Sequence, residues 1–145
     1  MLQDAASVDV NILLFVCWRA GFADGRLASQ EIARLMEATA PLQEETIKPL
    51  RQARRAIRKG SDREPERQQL LQLELAAEKA ELDLLGELAG QECGTRVGDW
   101  AQIVEAAHAN LQLCFAQTGA ILTYADAVRL MHIARMAADI HLGRR

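Results

Sequence analysis

The chain has 145 residues, of which 50% are hydrophobic and 26% charged, and its formal net charge is −3 at pH 7. These proportions are typical of one globular domain and exclude a disordered segment or a fibrous repeat. The slightly acidic balance also excludes a general electrostatic attraction to nucleic acid, so any such attraction must be local.

Cysteine usage and hydropathy indicate where the protein works. Cys17, Cys93 and Cys114 have spacings that match neither a disulfide framework nor a zinc knuckle, which favours a reducing compartment. The longest apolar run covers residues 12–18, whereas a membrane span needs about 20 residues. Acidic residues precede this run, unlike the basic start of a secretory signal. We therefore expect a cytoplasmic protein that makes no membrane contact.

The first half of the chain predicts three helices. Asp9 caps the first helix, which runs to about residue 22 and is apolar almost all round, as expected of a buried helix. The second helix begins at Ser29 and ends near residue 40. Pro41 suits the first position of a third helix, which ends at Lys59. Pro49 should bend or divide this third helix near residue 45, because proline lacks the N–H and its ring clashes with the preceding turn.

The second half predicts three more helices. Pro65 opens the longest one, which ends near residue 89. Asp99 caps a fifth helix that ends before Gly119, and Thr123 with Asp126 resembles a capping box at the start of a sixth. The sequence therefore predicts an all-α fold over residues 1–145. We expect a single-domain bundle of about six helices, with the long helix after Pro65 at its centre.

The long helix carries two apolar seams. One seam consists of Leu70, Leu73, Ala77, Ala80, Leu84 and Leu88, and the other of Leu71, Leu75, Leu82 and Leu85. The seams are displaced by about 100° around the helix, so the helix must contact neighbours on two sides. A partner chain can supply the second neighbour, and we expect self-association through the second seam.

Two segments carry a family resemblance. The runs at residues 9–18 and 47–51, followed by the pair Arg54 and Arg55, resemble a proteobacterial family of small helical proteins known only as a domain of unknown function. The resemblance covers roughly the first 60 residues, and the two motifs are moderately specific together. It implies a bacterial cytoplasmic origin and an all-helical fold, and it carries no activity, cofactor or partner.

Basic residues form the strongest candidate site. Arg51, Arg54, Arg55 and Arg58 have i, i+3, i+4 and i+7 spacing, which places them on one face of a helix, with Lys48 and Lys59 beside them. We call these six residues the basic stripe. The apolar residues of this segment occupy a face about 100° away, so the stripe should face solvent.

Three interpretations of the basic stripe remain open. The arginines can pair with acids on the long helix, for which the candidates are Glu74, Glu78, Glu81, Asp83 and Glu87. They can instead meet an acidic protein partner, or they can bind phosphate in nucleic acid, a nucleotide or an anionic lipid. No aromatic residues are interleaved with the stripe, so a protein partner is favoured over nucleic acid. If the stripe is paired internally, charge reversal of Arg55 should lower the melting temperature.

The remaining residues do not form a complete catalytic or metal-binding set. Glu105 and His108 have the Glu-x-x-His spacing of di-iron bundles, but a second such pair is missing, so we expect no metal site. Cys17 and Cys114 fall on core faces, which leaves Cys93 as the candidate exposed thiol. No cofactor and no catalytic residue are predicted. We expect a non-enzymatic binding or adaptor module, with phosphate or nucleic-acid binding through the basic stripe as the alternative. An enzyme with a dispersed site drawn from residues such as Glu105, His108 and His132 is a third possibility that ranks behind both.

Overall fold

The computed structural model describes residues 8–90 and 94–144. Its helices are α1 (Val10–Arg19), α2 (Ser29–Leu42), α3 (Lys48–Ala56), α4 (Glu64–Ala89), α5 (Trp100–Gln117) and α6 (Tyr124–His141). A π-helical segment, Gln43–Ile47, joins α2 to α3 without a break. The all-α prediction is confirmed, with five continuous helical rods in the described residues where about six were expected.

The predicted starts of α1, α5 and α6 are confirmed by their capping contacts. The side chain of Asp9 accepts a hydrogen bond from the backbone N–H of Asn11 at 2.8 Å. Asp99 caps α5 in the same way, and Thr123 and Asp126 form both halves of the capping box of α6. These contacts satisfy N–H groups that have no partner within their helix, so the local sequence fixes where each helix begins.

The structure contradicts the effect predicted for Pro41 but shows a distortion at the position predicted for Pro49. The expected break before Pro41 is wrong, because α2 continues through this exposed residue to Leu42. The distortion expected near residue 45 is present as the π-helical segment, in which the N–H of Lys48 donates to the carbonyl of Gln43. Pro49 has no N–H to donate, and the wider π turn before it changes the hydrogen-bonding pattern of the helix locally. The helix therefore continues through Pro49 and does not divide in two.

The end of α3 also differs from the prediction. The helix ends at Ala56, and Ile57 adopts an extended conformation with φ −90° and ψ 121°. The side chain of Ile57 is buried, with 6% of its surface exposed. Burying this apolar side chain stabilises the early end of the helix. Arg58 and Lys59 consequently lie beyond the helix and do not continue its face.

The chain divides into two compact units, Met1–Leu35 with Ala89–Arg145 and Met36–Leu88. In the first unit, α5 packs against α6 and α1. Its core includes apolar side chains of α1, α5 and α6, namely Ile12, Phe15, Val16, Ile103, Ala107, Leu111, Phe115, Leu130, Ala134 and Ala138. Alanines at these positions let the helix backbones approach closely.

The prediction that α1 is buried all round is wrong. Val10, Leu14 and Trp18 lie one turn apart along its outer side and are 39%, 58% and 40% exposed. The ring of Trp18 packs edge-on against Phe22, with 4.9 Å between the ring centroids. The helix therefore buries one face only, and the continuous apolar run does not reveal which face that is.

The second unit contains the π-helical segment, α3 and nearly all of α4. Its core includes the apolar residues Ile47, Ile57, Ala77 and Leu85, and it also buries Thr39, Glu74 and Glu81. Burial of two carboxylates in a small helical unit is costly unless they are paired and hydrogen-bonded. The contacts of these two glutamates therefore determine how the unit is held together.

Candidate binding surfaces

Glu74 joins two arginines of the basic stripe. The Nε of Arg51 donates to Oε1 of Glu74 at 2.8 Å, and the Nε of Arg54 donates to Oε2 at 2.5 Å. A second nitrogen of Arg51 donates to Glu78 at 2.7 Å. The arginine side chains are 25% and 18% exposed, so the expected solvent-facing position is wrong for both. These contacts match the interpretation in which acids of the long helix pair with the stripe.

The charge network shifts the proton equilibria of its members. Burial alone would raise the pKa of Glu74, but the hydrogen bonds from Arg54 and Arg51 outweigh it and hold the pKa below the usual value of 4.5. The hydrogen bond to Glu74 raises the pKa of Arg51 and of Arg54. All three groups are therefore charged at neutral pH, and the carboxylate lies between two cations.

The other residues of the basic stripe have different surroundings. Lys48 is half exposed and pairs with Glu44 one turn earlier. Arg55 is exposed on α3, and Arg58 and Lys59 are exposed beyond its end. Within the described residues, Arg55, Arg58 and Lys59 make no ion pair. The predicted site of Lys48, Arg51, Arg54, Arg55 and Arg58 thus separates into a paired inner part and an exposed outer part.

The line of buried residues on α4 differs from both predicted seams. It consists of Glu74, Ala77, Glu81 and Leu85, with one member from each leucine seam and two glutamates. Glu81 is fully buried and accepts hydrogen bonds from Nε2 of Gln43 at 2.9 and 2.8 Å. Glu81 was one of the acids offered by the sequence as partners of the basic stripe, and the structure places it against Gln43.

Leucines border this buried line on both sides. Leu75 and Leu82 lie on one side with 48% and 40% of their surface exposed, and we call this pair the α4 leucine edge. Leu73 lies on the other side with 55% of its surface exposed, whereas Leu88, 49% exposed, continues the direction of the buried line beyond Leu85. Leu75 and Leu82 are two turns apart on one side, so they form an exposed apolar pair.

The first unit contains a buried polar contact that sequence reasoning missed. Asn110 is fully buried, and its Oδ1 accepts a hydrogen bond from the N–H of Leu27 at 2.8 Å. Its Nδ2 donates to the carbonyl oxygens of Gly25 and Val16 at 2.7 and 3.0 Å. The amide therefore connects α5, the end of α1 and the loop that follows it. An asparagine within the apolar face of a predicted helix was the available signal.

Two positions in the loop after α1, residues 21 and 25, leave no space for a side chain. A Cβ at Gly25 would lie 2.1 Å from the carbonyl oxygen of Arg19, and one at Gly21 would lie 2.3 Å from the ring of His141. Arg19 is buried and donates to both the side chain and the carbonyl of Asp24. The loop is thus fixed by close backbone approach and an internal ion pair.

The residues considered for catalysis and metal binding are dispersed. Glu105 is exposed and pairs with Arg26 at 3.1 Å, while Nε2 of His108 has no hydrogen-bond partner among the described residues. Burial raises the pKa of Cys17 to about 11 and of Cys114 to about 12, which keeps both thiols protonated at neutral pH. Cys93 lies outside the described residues. Within residues 8–90 and 94–144, no group of three or more histidine, cysteine, aspartate or glutamate side chains is placed to hold a metal ion.

Comparison with known proteins identifies a family. A family model described as "Protein of unknown function (DUF2390)" matches residues 1–85, which is more than half of the 145 residues. The match includes the segments on which the sequence resemblance depends and extends through most of α4. No curated protein and no solved structure matches the chain. Among the described residues, no helix is long and apolar enough to cross a membrane.

Proposed function

We propose that this chain, which belongs to the family of proteins described as "Protein of unknown function (DUF2390)", is a non-enzymatic helical module of the cytoplasm that makes protein–protein contacts. We further propose that it associates with itself. The observation that supports the proposal is the α4 leucine edge, because Leu75 and Leu82 remain 48% and 40% exposed in the folded chain. Because Leu75 and Leu82 are already about half buried, covering each of them completely stabilises the contact by about 0.7–1.5 kcal/mol, half of the value for full burial.

The spacing of the α4 leucine edge allows an antiparallel pair of α4 helices. A two-fold axis midway between Leu75 and Leu82 would place each of them on the other residue in the second copy. The same axis would place Glu78 of both copies on one flank of the contact and Lys79 of both copies on the other, so the contact depends on the leucines. Within its own chain Glu78 pairs with Arg51 at 2.7 Å and Lys79 with Asp83 at 2.7 Å, which reduces the repulsion on each flank.

Replacing both Leu75 and Leu82 with glutamate should reduce the association constant at least tenfold. The change places two carboxylates in the apolar contact of each copy, and burying them unpaired is costly. Multi-angle light scattering across micromolar concentrations measures the mass. The matched control is Leu73→Glu with Ala80→Glu, an exposed pair with the same seven-residue spacing on the other side of the same helix, which should leave the mass unchanged. A wild-type protein that stays monomeric at high micromolar concentration contradicts the proposal.

A second candidate function is anion binding, and the exposure of Arg55, Arg58 and Lys59 favours it. Wild-type affinity for generic DNA or RNA should then fall steeply between two salt concentrations, because bound counterions are released. Arg55→Glu with Arg58→Glu should abolish this binding, measured by fluorescence anisotropy. The same pair should leave the melting temperature unchanged, since neither residue is ion-paired within the described residues. Binding that survives the double change, or that does not depend on salt, contradicts this candidate.

A further inference from the structure

The outer side of α6 carries an apolar stripe. Tyr124 is 87% exposed, Val128 52%, Met136 50% and Ile140 74%, and the exposed residue His132 lies at the middle of the series. We call these five residues the α6 stripe. Their spacing of four keeps them on one slowly turning side of the helix over about 24 Å. Large apolar side chains at this exposure are unusual along the whole length of a helix in a monomer.

The packing of α6 in its own unit leaves the α6 stripe uncovered. The residues that α6 buries are Leu130, Ala134 and Ala138, and α6 packs against α5. Leu130, Ala134 and Ala138 each come two residues after a member of the stripe, which is a rotation of about 200° around the helix. The buried and exposed series therefore face opposite ways. Contact with α5 therefore occupies one side of α6 and does not reach the other.

Basic residues border the α6 stripe on both sides. Arg129 and Arg135 are each three residues from His132, which places them about 60° to either side of it. Both are exposed, and the side chain of Arg129 is 62% accessible. The two carboxylates of the helix already have partners. Asp126 forms the capping box with Thr123 and an ion pair with the exposed side chain of Arg129 at 3.1 Å, a surface pair that costs little to exchange. Asp139 accepts a hydrogen bond from Nε1 of Trp100 at 2.8 Å.

This charge arrangement disfavours a second copy of α6 as the occupant. The stripe is symmetric about His132, so an antiparallel two-fold pair would place Val128 on Met136 of the other copy, with Arg129 of both copies on one flank and Arg135 of both copies on the other. The apolar contacts match, but each flank would carry an arginine from both copies, and juxtaposed like charges are destabilising. Arginines on both edges also keep the stripe about one residue wide, which is narrow for insertion into lipid.

We propose that the α6 stripe is the docking site for an acidic amphipathic helix of another protein. Apolar side chains of the partner would cover Val128, Met136 and Ile140, and its carboxylates would pair with Arg129 and Arg135. A helix of about 16 residues matches the length of the stripe. This surface is separate from the α4 leucine edge, so the inference does not depend on self-association.

Two synthetic probes test the proposal with the full-length chain. Both are 18-residue amphipathic helical peptides with one leucine stripe, flanked by glutamates in the first peptide and by lysines in the second. Fluorescence anisotropy should show that the wild-type protein binds the glutamate peptide at least tenfold more tightly. In the Arg129→Glu, Arg135→Glu variant the order should reverse. Circular dichroism checks that this variant keeps its helix content.

Further variants and a vesicle probe separate the outcomes. Val128→Ser with Met136→Ser should weaken binding of the glutamate peptide at least tenfold, whereas Leu75→Glu with Leu82→Glu should leave it unchanged. Equal binding of both peptides, or a preference that ignores the charge reversal at Arg129 and Arg135, overturns the proposal. Tight binding to vesicles containing 30% anionic lipid without binding to either peptide also overturns it and assigns the stripe to membranes.

Discussion

Replacing Glu74 with glutamine should lower the free energy of unfolding by about 3 kcal/mol, because removing one member of a buried ion pair leaves the other charges uncompensated. Glu74 is 3% exposed, and its two oxygens accept hydrogen bonds from Arg51 and Arg54. Glutamine keeps the shape but offers no negative charge. Two part-buried guanidinium groups would then lie close together without the carboxylate between them.

An exposed glutamate on the same helix supplies the control for this prediction. Glu66 accepts two hydrogen bonds from Arg63 at 2.8 and 2.7 Å, yet its side chain is 50% exposed. Since solvent screens such pairs, Glu66→Gln should not change stability measurably. Urea denaturation of the three proteins gives the comparison. A Glu74→Gln protein as stable as the Glu66→Gln protein would show that the network does not hold the unit together.

The contribution of Glu74 should also depend on pH in one direction. The pKa of Glu74 is lowered in the folded chain relative to its usual value of 4.5. Its stabilisation is therefore complete above about pH 4.5 and is lost as the pH falls through the folded value, because protonation removes the charge that the arginines bind. The stability difference between wild type and Glu74→Gln should accordingly shrink in acid, as followed by unfolding at a series of pH values. A difference that grows in acid contradicts this assignment.

Local signals predicted the ends of most helices because capping depends on residues close in sequence. Asp99, the Thr123 and Asp126 pair and the stop after Ala89 lie where the sequence placed them. The positive φ of Gly90, 65°, is the conformation that glycine adopts without strain at such a stop. The end of α3 was missed because burying Ile57 is a tertiary effect, which spacing does not reveal.

For a similar reason, the sequence predicted only part of the candidate site. The spacing of Arg51, Arg54 and Arg55 indicated one basic face, and Glu74 and Glu78 were among the expected partners. Two leucine seams suggested an apolar interface for α4, whereas the inner line includes Glu74 and Glu81. Helical periodicity places residues around an axis, but it does not state which side faces the neighbouring helix. Exposure of the α4 leucine edge follows from that orientation.

Replacing Asn110 with leucine should be the most destabilising change, at about 4 kcal/mol. The leucine has a similar volume, but it removes the acceptor of the Leu27 N–H and the donor to the Gly25 carbonyl. Each unpaired buried group costs about 1–3 kcal/mol. The carbonyl of Val16 keeps its hydrogen bond from the N–H of Ala20 at 3.3 Å, so it adds less. The loss therefore comes mainly from the loop after α1, which Asn110 holds against α5.

A matched change on the same helix distinguishes this contact from a general effect of leucine. Gln112 is exposed two residues further along α5, so Gln112→Leu should leave the unfolding free energy within 0.5 kcal/mol of wild type. Amide hydrogen exchange gives a local readout, and the N–H of Leu27 should exchange faster in Asn110→Leu while the core of α5 stays protected. Because glycine alone fits at residue 25 and its carbonyl needs a donor, the loop cannot shift to another partner without losing its close packing on Arg19. Unchanged protection at Leu27 would mean that the loop is held by its backbone fit and the Arg19–Asp24 pair alone.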